Sequence, residues 1–233
     1  MRQLQLWNEL ILTPRASLEE AQELMYGLRN RGIFFGTDEA GRGALAGPGL
    51  AASVYLTQDQ EDKLLSLGLR DSKKLNRKRR EKLVDAMKEL GVRYAISSGS
   101  VDRIERDNIL VASLWTMGKS AKKLAAIMGI DPLCVIVDGT ERIDKLKYHQ
   151  WTLIQADNLI PSVSAASIIA KVLRDRIMTK YGRKYPLYDF GQNKGYPTQM
   201  HMDMVAALGM CPIHRPYFCK KIIALNRGQH AID

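Results

Sequence analysis

The chain is poor in cysteine and histidine. Its three cysteines, Cys134, Cys211 and Cys219, are odd in number and form no C-x-x-C pair. That excludes a disulfide framework as the organising principle and makes a reducing compartment the simplest setting. The histidines and cysteines do not make up a four-ligand set of paired spacings, His214 alone falling between Cys211 and Cys219, so the pattern does not point to the nitrogen and sulfur donors favoured by zinc and copper. Long apolar runs are also missing. No segment approaches the 18 or so apolar residues of a membrane span, and the opening MRQLQLWNELILTP lacks the apolar core and small-residue cleavage site of a secretory signal. The expectation from these absences is a cytoplasmic, soluble protein without a membrane partner.

What is present begins with charge. The 233 residues carry 35 Lys and Arg against 25 Asp and Glu, a formal net charge of +10, and their 45% hydrophobic content can bury the core of one domain with an appendage. An excess of positive charge suits a polyanionic partner, although a merely basic soluble protein satisfies the same count.

Against this basic background, four acids stand at the ends of short apolar runs: Asp38 and Glu39 in IFFGTDEAGRG, Asp138 in CVIVDG and Asp157 in WTLIQAD. Each alone has an ordinary reading as a turn or surface acid. Together they suggest a convergence of carboxylates, and carboxylates brought together inside a fold repel unless protons or cations neutralise them. All-oxygen donors suit magnesium or manganese. Two such ions about 3.5–4 Å apart can stabilise the attacking and the leaving oxygen of an in-line displacement at phosphorus. Phosphodiester hydrolysis without a side-chain nucleophile is the chemistry this pattern points to. Neighbours in a regular strand face opposite ways, so Asp38 and Glu39 are expected at a strand end where the chain turns.

The periodicities predict an α/β fold. Ser17 and Glu20 form an S-x-x-E capping box, predicting a helix from about 17 to 30. IFFGT and GLAASVYL read as strands in hairpin sequence, VRYAISSGSV as a third, and the almost wholly apolar LCVIVDG as one covered on both faces. WTLIQAD is a further short strand. Helices are predicted at 76–90, at about 102–127 with a break near Asp107 and Asn108, over SVSAASIIAKVLRDRIMTKYG, and near 198–208 and 219–226. Strands in hairpins followed by strands alternating with helices imply a mixed sheet flanked by helices. The expected division is an appendage over 1–32, a core over 33–184 and a substrate-contacting helical region over 185–233.

Several basic and glycine-rich segments are candidate substrate contacts. Gly41 and Gly43 permit a turn and let backbone N–H groups approach a phosphate or sugar, and Arg42 between them adds a charged fork; a tight polar turn is the plain alternative. In RDSKKLNRKRREK, Lys73 and Lys74 lie in the loop before a helix and suit phosphate contacts, whereas Arg77 to Lys82 read as a solvated helical face. NKGYPTQMH places Lys194 and Tyr196 in one ordered loop, where an aromatic ring can lie against a nucleotide or serve as core. His201 and His214 lack a paired ligand spacing and read as structural.

Taken in order, DEAGRG, DSKKL, DNIL, VDG, SAASIIAKVLRDR, YDFGQNKGYPT with a following His, and HR at 214–215 resemble bacterial ribonuclease HII from about Gly36 to Leu225. The resemblance implies a ribonuclease H-like fold with a C-terminal helical extension. It also implies endonucleolytic cleavage of RNA in RNA–DNA hybrids and at single ribonucleotides embedded in duplex DNA, on their 5′ side, leaving a 3′-hydroxyl and a 5′-phosphate. By the same resemblance, Asp38, Glu39, Asp138 and Asp157 are the catalytic acids and bind two manganese or magnesium ions. Gly41, Arg42 and Gly43 sense the ribose hydroxyl, Tyr196 reads the junction with DNA, and the working protein is a monomer. The chain departs from the family pattern where Gln155 and Ala156 replace Lys-Gly before Asp157, where HRPYF replaces HRRSF, and where DGT replaces DGN.

Overall fold

The computed structural model describes residues 17–69 and 75–229. Five strands form one mixed sheet: β1 (Phe34–Ala40), β2 (Gly49–Tyr55), β3 (Arg93–Gly99), β4 (Cys134–Asp138) and β5 (His149–Leu153), in the order β3-β2-β1-β4-β5. The first three pair antiparallel, while β4 runs parallel to β1 and β5 parallel to β4. The helices are α1 (Leu18–Arg29), α2 (Gln58–Ser66), α3 (Arg77–Glu89), α4 (Val101–Asp107), α5 (Ile109–Met128), α6 (Ala156–Leu159), α7 (Pro161–Lys184), α8 (Phe190–Asn193), α9 (Gln199–Leu208) and α10 (Pro216–Gln229). None of them is long and apolar enough to cross a membrane among the described residues.

Strand alternation sorts side chains into two cores. Ala52 and Val54 pack with Ile168 and Ile169 of α7 and with Leu83 and Met87 of α3. Their neighbour Ala51 points the other way, joining Phe35, Val135 and Val137 against Met117 and Leu124 of α5. With helices on both faces, the sheet centre needs no polar side, hence the apolar run CVIV of β4 and the burial of nearly every residue of β1 and β2. The first turn of α7 comes so close to β1 that a Cβ on Gly36 would lie 2.4 Å from the Val163 backbone nitrogen. Only the smallest residue allows that approach, and it brings the small-residue face of α7 over the end of β1.

The capping box at Ser17 and Glu20 closes α1 as expected, and Asn108 interrupts the α4–α5 stretch with φ +66° while its side chain caps Leu110 and Val111. Three features differ from the sequence expectation. A helix at 58–66 was not anticipated, although Thr57 and Gln60 form a capping box of the same kind. Moreover, β1 does not stop before the acids: Asp38, Glu39 and Ala40 remain paired with Ala52, Ala51 and Leu50. The last helix also begins earlier, at Pro216, a residue suited to a first helical turn.

The C-terminal helices gather around Leu45, Ala46, Met178, Phe190, Val205 and Cys219. This cluster carries the 41–48 loop, which joins β1 to β2, against the far half of α7.

Candidate active site

The parallel register sets the positions of the acids. Thr37 pairs with Val137 across β1 and β4, so the next residues, Asp38 and Asp138, come side by side where β4 ends and β1 runs on paired to β2 alone, toward the carboxyl ends of both strands. Such ends, next to the strand where the sheet order reverses, are where open α/β sheets place their chemistry. Asp157 arrives from the next parallel strand: β5 ends at Leu153, Gln155 turns with φ +58°, and Asp157 sits in the single turn of α6. The Ala156 N–H donates to Asp138 Oδ1 at 2.7 Å, which ties the α6 turn directly to the end of β4.

Asp38 and Glu39 straddle the sheet instead of turning together. Asp38 is buried and accepts from the Ser167 hydroxyl of α7 and from the Glu39 N–H at 2.6 Å. Glu39 faces the opposite side, lining a small cavity with Ile104, Ile109 and Ala112. Burial, followed by the charges of Glu39 and Asp138, holds the Asp38 carboxyl well above the usual carboxylate range. Glu39 is raised to about 7, chiefly by burial; Arg42, 3.5 Å away, opposes the rise and Asp138 adds to it. The two strand acids are therefore coupled to Asp138 through space, and ionising them together is unfavourable without a compensating cation.

These residues fit hard divalent cations by chemistry: every donor is oxygen, and the excess negative charge is buried. Among the described residues, no group of three or more His, Cys, Asp or Glu side chains is arranged to hold a metal ion as it stands.

The neighbouring loop rests on two arginines buried completely. Arg174 donates to the carbonyls of Pro48, Ala46 and Lys194 at 3.1, 3.0 and 2.9 Å. Arg215 donates to those of Gly41, Arg42 and Gly47 at 2.8 to 3.1 Å. Burial, with the nearby Arg174 charge adding to it, lowers Arg215 to about 9. With the carbonyls turned inward to the guanidinium groups, the 41–48 segment is fixed. Gly41, at φ +100°, lies so close to Arg174 that a Cβ would stand 2.2 Å from Nε. A Cβ on Gly43 would meet nothing within 4 Å, so the space over Gly43 is open.

The Tyr196 ring is half-buried, with Lys171 Nζ 4.8 Å and the Arg174 guanidinium carbon 5.1 Å from its centroid. Lys194 departs from the expected substrate contact. It is 8% exposed, its ammonium donates to the Gly191 carbonyl and to Thr179 Oγ1, and its backbone adopts φ +53°. Its charge organises the loop from inside. Lys73 and Lys74 lie outside the described residues.

His201 and His214 join the Tyr196 loop to the Arg215 turn. Their Nε2 atoms are 3.0 Å apart, His201 Nδ1 is 2.9 Å from the Tyr196 carbonyl, and His214 Nδ1 is 2.9 Å from the Cys211 N–H. The carbonyl can only accept and the amide can only donate, which assigns N–H to His201 Nδ1 and to His214 Nε2. One neutral chain then runs from Cys211 to Tyr196, and an added proton has no acceptor within it. Burial, then the proximity of His201, lowers His214 to about 4; burial lowers His201 as well.

Between about 4 and the ordinary 6.5, His214 binds less proton in the folded chain than in the unfolded one. The stability that His214 alone contributes is fully present above the unfolded value and falls as pH drops through that window, by about 3 kcal/mol for a shift of this size. Asp38 and Glu39, raised by burial, act in the opposite direction over the same range, so the His214 contribution is read as a difference: from pH 7 to pH 4 the parent's urea midpoint should lose ground relative to that of His214→Asn.

Neither buried arginine nor the histidine chain was identified by sequence reasoning as part of the site. HR at 214–215 and the lone Arg174 within the small-residue helix were visible as motifs, but their burial is set by long-range packing.

Comparison with known proteins adds independent findings. The family model described as ribonuclease HII matches residues 35–221. The chain is similar to the ribonuclease HII of Synechocystis sp., 39% identical over 188 residues and covering 81% of this chain and 97% of that protein. It is similar to that of Idiomarina loihiensis, 42% identical over 191 residues, with coverages of 81% and 97%. Among solved structures, ribonuclease H2 from Pyrococcus horikoshii OT3 superposes with a TM-score of 0.62 at 28% identity, covering 84% of this chain and 99% of that one.

Proposed function

On the premise that the chain belongs to the ribonuclease HII family, and is therefore a metal-dependent nuclease, we propose that it hydrolyses the RNA strand of RNA–DNA hybrids. We further propose that it cuts duplex DNA on the 5′ side of a single embedded ribonucleotide, leaving a 3′-hydroxyl and a 5′-phosphate. The observation that carries this reading is the β1–β4 register, which brings Asp38 and Asp138 together, with the Asp157 turn hydrogen-bonded to Asp138.

In this reading Asp38, Glu39, Asp138 and Asp157 hold two manganese or magnesium ions. When bound, such ions supply activation of the attacking water and stabilisation of the departing sugar oxygen. The protein's own contribution is positional. Ser167 and the Glu39 N–H orient the Asp38 carboxylate, the Ala156 N–H orients that of Asp138, and Arg42 restrains Glu39.

Recognition of the ribose is assigned to the 41–43 backbone. The 2′-hydroxyl distinguishes RNA from DNA, and the open space over Gly43 leaves room for a sugar edge to reach main-chain groups. Arg42 is half exposed and can fork onto a phosphate while releasing Glu39. Lys73 and Lys74 are assigned to phosphate contacts on charge alone. Lys194 shapes the loop that presents Tyr196, and Tyr196 is assigned to the deoxyribose beyond the cut.

The test is a duplex carrying one ribonucleotide, incubated with magnesium, with manganese and with chelator, beside an all-DNA control. The reading expects one cation-dependent cut on the 5′ side of the ribonucleotide and an intact control. Cleavage of the control, or no cut with either ion, contradicts it. For Tyr196→Ala, a fall of roughly tenfold or more at RNA–DNA junctions is expected, the scale of a lost sugar or base contact of 1–3 kcal/mol, with uniform hybrid less affected. Equal loss on both substrates would remove the junction-reading role.

A further inference from the structure

The family model begins at residue 35, so α1 lies outside the matched region and the function above assigns it nothing. Its apolar stripe is nevertheless buried almost completely: Ala21, Leu24, Met25 and Leu28 are 0 to 6% exposed. The spacing of three, four and seven residues places all four on one helical face. That face packs in one cluster with Leu153, Ala156 and Ile160, the residues on either side of Asp157. A second attachment is the ion pair between Arg29 and Glu61 of α2.

The turn beneath α1 has little to hold itself together. α6 is four residues long, shorter than a helix that persists on its own hydrogen bonds. Gln155 enters it with φ +58° despite carrying a Cβ, a conformation that survives when surrounding packing imposes it. No side chain caps α6. It is held by the Ala156 N–H to Asp138, by the Asn158 N–H to the Gln155 carbonyl at 2.9 Å and the Ile160 N–H to the Ala156 carbonyl at 2.8 Å, by the start of α7 that follows it, and by the apolar cluster it shares with α1, Phe34, Ile136 and Val163. Ala156 is 0% exposed, and its methyl lies in the cluster shared with α1.

We propose that α1 is a positioning brace: by packing against Leu153, Ala156 and Ile160 it holds the α6 turn so that Asp157 stands beside Asp138. The link to turnover rests on the assignment of Asp157 to the site; the link to geometry does not.

The experiment measures hydrogen exchange and steady-state cleavage on the same intact chain carrying Leu24→Ala and Leu28→Ala, with Met25→Ala as a milder variant in case the pair fails to fold. Exchange of the Ala156, Asn158 and Ile160 amides should accelerate roughly tenfold or more, as for a local opening, while the paired amides of β2 and β3 keep their protection. The kcat should fall by roughly 10- to 100-fold, the scale of a displaced catalytic group, with KM for the hybrid within about twofold. Unchanged exchange at 154–160, or equal acceleration throughout the sheet, overturns the brace. Local acceleration with unchanged kcat supports the brace and counts against Asp157 as a catalytic acid.

Discussion

Asp38→Asn and Asp138→Asn are each expected to reduce turnover by on the order of 10³-fold or more while hybrid binding stays within a few-fold. The asparagine keeps the shape and removes the charge, so the loss isolates the electrostatic part of the site. Cation-assisted stabilisation of charge at phosphorus amounts to several kcal/mol, and each 1.4 kcal/mol is about tenfold in rate. Binding persists because the proposed contacts to the duplex come from other elements: the 41–43 backbone, Arg42 and Tyr196. Gel-shift titration and single-turnover cleavage separate the two effects.

The same substitution has a second expected outcome of opposite sign. Asp38 is held well above the usual carboxylate range, mainly by burial, so its ionised form is disfavoured in the folded chain. For a carboxylate raised in this way, stability is fully present below the unfolded value and lost as pH rises through the folded one. At neutral pH and without divalent ions, Asp38→Asn should therefore unfold at a higher temperature than the parent chain. Added manganese should raise the parent's midpoint more than the variant's, since a ligand stabilises the state that binds it. A variant less stable than the parent in chelator would contradict the electrostatic account of the site.

Arg215→Met should be the most damaging change outside the acids. Its guanidinium satisfies the buried carbonyls of Gly41 and Gly47 and the part-buried one of Arg42, and an apolar replacement leaves all three without that donor. Orphaned buried acceptors cost about 1–3 kcal/mol each, so a loss on the order of 3 kcal/mol or more is expected in urea unfolding. Arg215→Lys keeps a charge but presents one compact ammonium where a planar fork reached three acceptors. It should recover part of the stability, with kcat still depressed because the 41–43 backbone is no longer set. Full activity in Arg215→Lys would show that charge alone suffices there.

The sheet, its flanking helices and the strands carrying the acids were legible because their signals are local: alternation, apolar runs and capping boxes. Asp38 and Asp138 could be named from their positions at the ends of apolar runs, yet their adjacency required the β1–β4 register, a long-range property. The opposite facing of Asp38 and Glu39 escaped the reading because β1 continues through both acids while paired to β2 alone. Lys194 looked like a surface cation, since no sequence pattern announces that a positive-φ lysine will turn its ammonium inward to Gly191 and Thr179. Arg174 and Arg215 were hidden for a related reason. Arginine is ordinarily exposed, and these two are buried because a loop distant in sequence supplies carbonyls in place of water. The role of α1 was equally out of reach, because its capping box specifies a helix and nothing about what lies beneath it.

The most direct test of the central claim, that the acids at the strand ends jointly hold divalent cations, is a calorimetric titration of manganese into the parent chain and into Asp38→Asn and Asp138→Asn. The account predicts saturable binding to the parent and binding weakened by at least tenfold in each variant. Binding of equal strength in all three proteins would contradict it.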